Sequence, residues 1–349
     1  MKNVFKLVGI IALVAVIGFS MVACGVRDVD SGGGGSGTTF TSMNAFNEWL
    51  SKQPKNTPDT PYIVKLNIKD LGYHGSWSIY NSEKYVYIDL SSTITSIRKE
   101  AFELCGLLVG ITIPDSVTSL ESEAFSYCSN LTSVIIGNGV TSIREKTFEH
   151  CPSLTSVTIG NSVTNIGDMA FSVCISLASV IIPDSVTSIG GGVFSNCKNL
   201  TSVTIGNGVT SIGGSAFYGC TSLANLTIPN SVTSIGRVAF YGCTSLANLT
   251  IGNSVTSIEE SAFKGCSSLT SVTIPSSVTS LGSNAFNDSG APNPIRIGLI
   301  SVTFEGTITS ANLPDGFNDP FPGDLRAKYL AGGIGTYTRS NGGSTWTKQ

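Results

Sequence analysis

Residues 200–222 read LTSVTIGNGVTSIGGSAFYGCTS, with apolar side chains at Leu200, Val203, Ile205, Val209, Ile212, Ala216, Phe217 and Cys220. The alternation Val203-Thr204-Ile205 predicts a strand with one buried face. Gly206-Asn207-Gly208 is turn chemistry, since Gly and Asn tolerate positive φ. Val209 to Ile212 reads as a second short extended piece, and Gly213 to Cys220 as a return turn, helical or 3₁₀. The stretch recurs along the chain. Cys105, Cys128, Cys151, Cys174, Cys197, Cys220, Cys243 and Cys266 each follow the last by 23 residues, and a phenylalanine stands three positions before each, from Phe102 to Phe263 and once more at Phe286. Proline takes the first turn position at Pro114, Pro183, Pro229 and Pro275, where its missing N–H ends a ladder.

A period of this length means stacked supersecondary units, none of which buries enough surface to fold alone. Each coil is expected to bury both flanks against its neighbours and to hydrogen-bond its strand to those above and below. At a strand spacing of about 4.8 Å, roughly nine coils make a rod on the order of 45 Å long. Ser289 stands where a ninth Cys would fall, so the pattern is lost there, and Val302 and Phe304 are read as the last strand. Such a stack makes a long surface more readily than a catalytic pocket.

The pattern Leu-x-x-Val-x-Ile-x-x-x-Val resembles the leucine-rich-repeat strand motif, shortened by one residue. The whole unit, with Ser-Val-Thr-Ser-Ile-Gly, Ala-Phe and Gly-Cys, resembles the BspA-like branch of that family, repeat by repeat over roughly residues 84 to 290. The tail, from Phe321-Pro322-Gly323-Asp324-Leu325-Arg326 through Tyr329 to Tyr337, resembles treponemal-type members. The resemblance implies a right-handed leucine-rich-repeat solenoid, mostly β with short helical or 3₁₀ turns, a parallel β-sheet on its concave face and atypical caps at both ends. It also implies a bacterial surface protein with an adhesion-type role.

The chain opens with Lys2 and Lys6, an apolar run from Leu7 to Phe19, and Met21-Val22-Ala23-Cys24. This is similar to a bacterial lipoprotein signal, with Cys24 as the lipidated residue. Two or more acyl chains would anchor the protein stably, at about 0.8 kcal/mol per buried methylene. The segment Ser31-Gly32-Gly33-Gly34-Gly35-Ser36-Gly37 is a flexible tether. The expected organisation is a signal peptide over 1–23, a tether over 24–39, an N-terminal cap over 40–83, the solenoid over 84–304 and a C-terminal cap or tail over 305–349. Phe46, Trp49 and Leu50 have helical spacing after Ser42 or Asn44 as N-cap, while Pro61–Leu66 and Tyr85–Leu90 read as strands. Trp49, Trp77 and Trp346 all lie outside the repeats, where large aromatics suit capping better than a ligand pocket.

The net charge of −3 with 12% charged residues gives no basic stripe. Nucleic acid is therefore not an expected partner, and membrane contact is expected only through the lipid anchor. In-register coils point equivalent cysteines the same way, which does not suit a disulfide. Each is read instead as a small buried hydrophobe in a ladder. Neither zinc-ligand spacing nor an EF-hand is present, and no cofactor is expected. Asp315, Asn318 and Asp319 read as a loop. The two histidines are His74 and His150, and the adjacent His150–Cys151 pair need not converge. No G-x-S-x-G elbow or P-loop occurs, so the chain is not read as an enzyme.

Two surfaces are candidates for binding an extracellular protein or glycan. One is the outward row on the first strand of each coil: Ser156 and Thr158, Ser179 (with Ile181), Ser202 and Thr204, Asn225 and Thr227, Asn248 and Thr250, Ser271 and Thr273. Such rows also simply stack well, Thr being a good β-former. The other is the charged turn ridge at Glu121-Ser122-Glu123, Arg144-Glu145-Lys146, Asp168-Met169, Arg237-Val238 and Glu259-Glu260. The expected role is partner binding in adhesion. The alternatives are a passive envelope-structure protein and, remotely, an ice-binding-like hydroxyl array interrupted by Ile181, Asn225 and Asn248.

Overall fold

The computed structural model describes residues 38–68, 84–287, 298–314, 319–341 and 343–349. Cys24, the tether up to residue 37, His74, Trp77, Ser289, Asp315 and Asn318 lie outside them, while Thr38 and Thr39, read as the end of the tether, already belong to the first strand. From Val86 to Leu281 each coil contributes one strand of three to six residues and, a few residues on, a two-residue strand. The longer strands run parallel from Thr38–Phe40 through Tyr62–Leu66, Val86–Leu90, Leu108–Ile113 and Ser133–Ile136 to Ser156–Thr158. They continue as paired ladders, Ser179–Ile182 with Ser202–Ile205 and Asn225–Thr227 with Asn248–Thr250, and end on Ser271–Ile274 with Ser301–Phe304. The two-residue strands form one unbroken parallel sheet of nine, from Ser96–Ile97 to Ser280–Leu281. Successive repeat coils pair in register, as Ser202 with Ser179 and Ile212 with Ile235. The 23-residue period therefore becomes a parallel β-solenoid.

The core is the column of phenylalanines. From Phe102 to Phe286 neighbouring rings lie 4.8 to 5.5 Å apart and within 3° to 19° of parallel. Beside them run the cysteines, all eight buried thiols and none in a disulfide. Cys151 Sγ donates to the Phe125 carbonyl at 3.2 Å, and Cys220 Sγ to that of Phe194 at 3.1 Å. The residue is small enough for the column and carries a weak donor that ties each coil to the one before.

The return turn is not a helix. Ala216, Tyr218 and Cys220 donate to carbonyls three residues back, but Ser215, Phe217 and Gly219 donate to Arg237, Ala239 and Tyr241 of the next coil. Alternate amides thus point along the stack, and a continuous run of helical bonds cannot form. The geometry demands two left-handed residues per coil, two positions either side of the Phe. Gly219, Gly242 and Gly265 meet this without strain, whereas Val173 at φ 60° and Val238 at φ 50° do not.

Both ends are closed. The helix α1, Met43–Lys52, starts on Ser42, whose Oγ accepts from the Ala45 amide, and it buries Phe46 and Leu50. Trp49 packs on Phe40 and Tyr62. At the other end Val302 and Phe304 sit in the last parallel strand, but the sheet does not stop there: Gly335–Thr338 and Thr347–Lys348 extend it antiparallel. Pro320-Phe321 replaces the missing Ala-Phe step. Phe321 lies 5.4 Å from Phe286 at 1°, and the Phe286 amide donates to the Pro320 carbonyl. The helix α2, Leu325–Gly332, presents Tyr329 to Phe304, and its hydroxyl donates to the Gly306 carbonyl at 2.9 Å. Trp346 is buried, its Nε1 donating to the Pro322 carbonyl. Trp49 and Trp346 are thus capping residues.

Candidate functional site

The period-two alternation of the longer strands turns Val and Ile inward and their neighbours outward. All eleven predicted face residues, Ser156, Thr158, Ser179, Ser202, Thr204, Asn225, Thr227, Asn248, Thr250, Ser271 and Thr273, are exposed. They are brought into two rows: Ser179 opposes Ser202, Asn225 opposes Asn248, and Thr227 opposes Thr250. The rows reach further than the sequence reading took them. Ser133 and Ile135 precede Ser156 and Thr158, and Ser301 and Thr303 follow Ser271 and Thr273. The tail strand then adds Thr336, whose hydroxyl lies 2.9 Å from that of Thr303. Strand alternation carried back before residue 156 and on past residue 273 would have found the first two pairs, but not Thr336 of the antiparallel tail strand.

Two apolar side chains stand in the Thr row. Ile135 is 45% exposed and Ile181 is 57% exposed, with Thr158 between them. Further along the face, the Tyr87 ring lies over Gly110, where any Cβ would meet it at 2.5 Å, and its hydroxyl reaches Thr112 Oγ1 at 3.0 Å.

A second threonine column shows what a purely structural row looks like. Thr164, Thr187, Thr210, Thr233 and Thr256 each donate their hydroxyl to the carbonyl of the equivalent Thr one coil back, at 3.0 to 3.1 Å. Of the eleven predicted face residues, only the amide pair Asn248 Nδ2 to Asn225 Oδ1, at 2.7 Å, is so engaged among the described residues. The hydroxyls of Ser156, Thr158, Ser179, Ser202, Thr204, Thr227, Thr250, Ser271 and Thr273 have no side-chain hydrogen bond among the described residues. They project to solvent with donor and acceptor capacity unspent.

The charged ridge is occupied with itself. Arg144 Nη1 lies 2.8 Å from Glu121 Oε2, and Arg237 makes a two-pronged contact with Glu260 at 3.2 and 3.3 Å. That hydrogen bond raises the Arg237 pKa above its ordinary value, as the Glu100 bond does for Lys99 and the Glu145 bond for Lys146. These pairs are exposed, so each contributes little to stability.

His150 stacks on Tyr127 at 4.6 Å, while Cys151 Sγ turns inward to the Phe125 carbonyl. The two side chains diverge. Burial pushes the thiols up, Cys105 to about 11 and Cys243 to about 12, so they are poor nucleophiles. Asp319 Oδ1 accepts from the Phe321 amide, fixing the cap. Among the described residues no group of three or more His, Cys, Asp or Glu is placed to hold a metal. Nor, among them, is any helix long and apolar enough to cross a membrane.

The model for the BspA-type leucine-rich-repeat region matches residues 63–178 and 164–293, in six copies. This chain belongs to the BspA-type leucine-rich-repeat family. Among solved structures, it is similar to a leucine-rich cell surface protein from Faecalibacterium prausnitzii, with 32% identity, 57% of this chain and 66% of that one covered, and a TM-score of 0.47. The match thus spans just under two thirds of that protein's chain. A Treponema pallidum leucine-rich-repeat protein is 28% identical, with 53% and 78% covered and a TM-score of 0.41. One from Eubacterium ventriosum is 21% identical, with 81% and 93% covered and a TM-score of 0.46. No curated protein matches.

Proposed function

We propose that this protein is a lipid-anchored bacterial envelope protein that binds an extracellular protein or glycan, in adhesion and without catalysis, through its exposed strand rows. One observation carries the reading. Of two threonine columns on the same stack, one spends its hydroxyls on the backbone, and the rows of the longer strands do not. A repeated face of this kind gains affinity from area and repetition, not from a deep pocket. Ile135 and Ile181 supply the apolar contact that a hydroxyl array alone lacks. The family, and the surface location stated for the Faecalibacterium protein, support placement at the cell envelope. Anchoring is assigned to Cys24, so Cys24→Ser removes acyl labelling and moves the protein to the aqueous phase of a detergent separation. Labelling that persists in this variant removes the anchor from the proposal.

The test is a binding screen of the purified protein against extracellular-matrix proteins and glycans, followed by the double variant Thr204→Arg with Thr227→Arg. Both positions point away from the core, so the arginines block docking and leave thermal stability nearly unchanged. Binding that survives them but is lost on changing Arg144, Arg237 or Glu259 moves the site to the turn ridge. A screen in which nothing binds favours the passive envelope role.

A further inference from the structure

The return turns carry an aromatic stack that breaks off. One position after each spine phenylalanine, successive coils bear Ser172, Ser195, Tyr218 and Tyr241. Tyr218 and Tyr241 stack at 5.2 Å and 9°. The other face of Tyr218 is turned toward the coil of Ser195, where no ring stands. Beyond Tyr218 the surface falls into a depression of about 400 Å³ spanning three coils, with Asp168 and Met169 at its far end. Its floor is low because Gly191, Gly192 and Gly214 carry no side chains. Met169 leans over Gly192, its Cγ 3.4 Å from where a Cβ would stand.

The polar groups around this slot are underused. Ser172, on the floor, is 7% exposed, and its hydroxyl has no hydrogen-bond partner among the described residues. Its oxygen is not sealed from solvent, unlike the unpartnered Ser231 Oγ, so it is open to a hydroxyl brought by a ligand. Asn196 Nδ2 makes one long contact, 3.2 Å, to Ser195 Oγ. Asp168 uses Oδ1 on the Gly191 amide at 2.7 Å, and no bond is made to its Oδ2 among the described residues.

We infer that the slot between Met169 and Tyr218 is a saccharide site, in which a neutral pyranose ring stacks on Tyr218 in the place that a further tyrosine would take. The C–H face of a pyranose carries slight positive charge and suits the negative face of the Tyr218 ring. Its hydroxyls both donate and accept, matching Asp168 Oδ2, the Asn196 amide and Ser172 Oγ. No cation lines the slot, which disfavours phosphates and acidic sugars. An aromatic side chain would stack equally well but would use none of these three polar groups. The site lies on the return turns and is independent of the strand rows.

Saturation-transfer NMR on the full chain, with a panel of methyl glycosides and with p-cresol as the aromatic probe, tests it. A glycoside is expected to bind in the millimolar range, as suits one small ring in an open site. Ser195→Tyr completes the stack with a side chain that the next two coils already carry, so it folds and abolishes glycoside binding. Tyr218→Ala weakens binding about tenfold or more. Thr204→Arg with Thr227→Arg changes nothing here, which separates this site from the strand face. The inference is overturned if no glycoside binds, if Ser195→Tyr binds as the parent does, or if p-cresol occupies the slot and glycosides do not.

Discussion

At the scale of the residue, the repeat cysteines were legible in part and the left-handed positions not at all. Their spacing and apolar context marked the cysteines as a buried ladder. Their thiol bonds to the preceding coil's Phe carbonyls were not visible, because sulfur donors leave no trace in a pattern. Those thiols make stability depend on alkaline pH. Burial holds Cys243 at about 12, whereas an unfolded thiol ionises near 9.0. The folded state therefore keeps a proton that the unfolded state loses, so the contribution is whole below pH 9 and fades as pH rises toward 12. Each such thiol costs up to about 1.4 kcal/mol per pH unit in that window. Cys243→Ala removes the bond to the Phe217 carbonyl and lowers stability by about 1 kcal/mol at neutral pH. Urea titrations across the alkaline range should show that deficit shrinking and then reversing; a deficit constant with pH would mean the thiol is not protected. The left-handed residues were not legible, since Val, Met, Tyr and Lys share their columns with Gly. Val173→Gly should raise stability by about 1 kcal/mol by relieving φ. Gly242→Ala should lower it although the added Cβ meets nothing within 4 Å. Thermal melts of the two variants that shift the same way would contradict this account.

At the scale of the element, the phenylalanine period decided the coil, and the structure stacks every one of those rings. What the period could not show is Phe321. It falls 35 residues after Phe286, out of step, yet the tail folds back to set it on the spine. Periodicity reports only chain that repeats, and a cap is by nature the part that does not. The spine also ranks its own members. Phe194 has rings on both sides at 5.5 and 5.3 Å, and Phe194→Ala opens a cavity at the centre of the stack that costs about 3–5 kcal/mol. Limited proteolysis should cut this variant inside the repeats, near the cavity. Phe321→Ala should instead loosen the tail first, with early cleavage after residue 298 and the central coils still protected. Equal protection of the tail and the centre in both variants would show that the coils do not depend on nearest neighbours.

At the scale of the molecule, a stack whose bonds run from each coil to the next has almost no long-range structure to preserve. Removing coils should therefore be tolerated, provided that the new neighbours fit. The turn after the first strand sets the condition. Gly206 lies against the backbone of Pro183, where an added Cβ would clash with the Pro183 carbonyl oxygen, and Gly252 lies against Pro229 in the same way. No coil beginning this turn with proline directly follows another that does: Pro183, Pro229 and Pro275 each succeed a glycine coil. Excising residues 200–245 places the Gly252 coil on the Pro183 coil and keeps that rule. Excising residues 200–222 places Pro229 on Pro183, forcing a ring into space that only glycine fits. The longer deletion is thus expected to fold with a lower denaturant m-value, as less surface is exposed on unfolding, and to melt cooperatively. The shorter deletion, which removes fewer contacts, is expected to be the less stable of the two. Circular dichroism melts of both would decide it, and a shorter deletion more stable than the longer would show that the alternation of proline and glycine plays no part in how the coils stack.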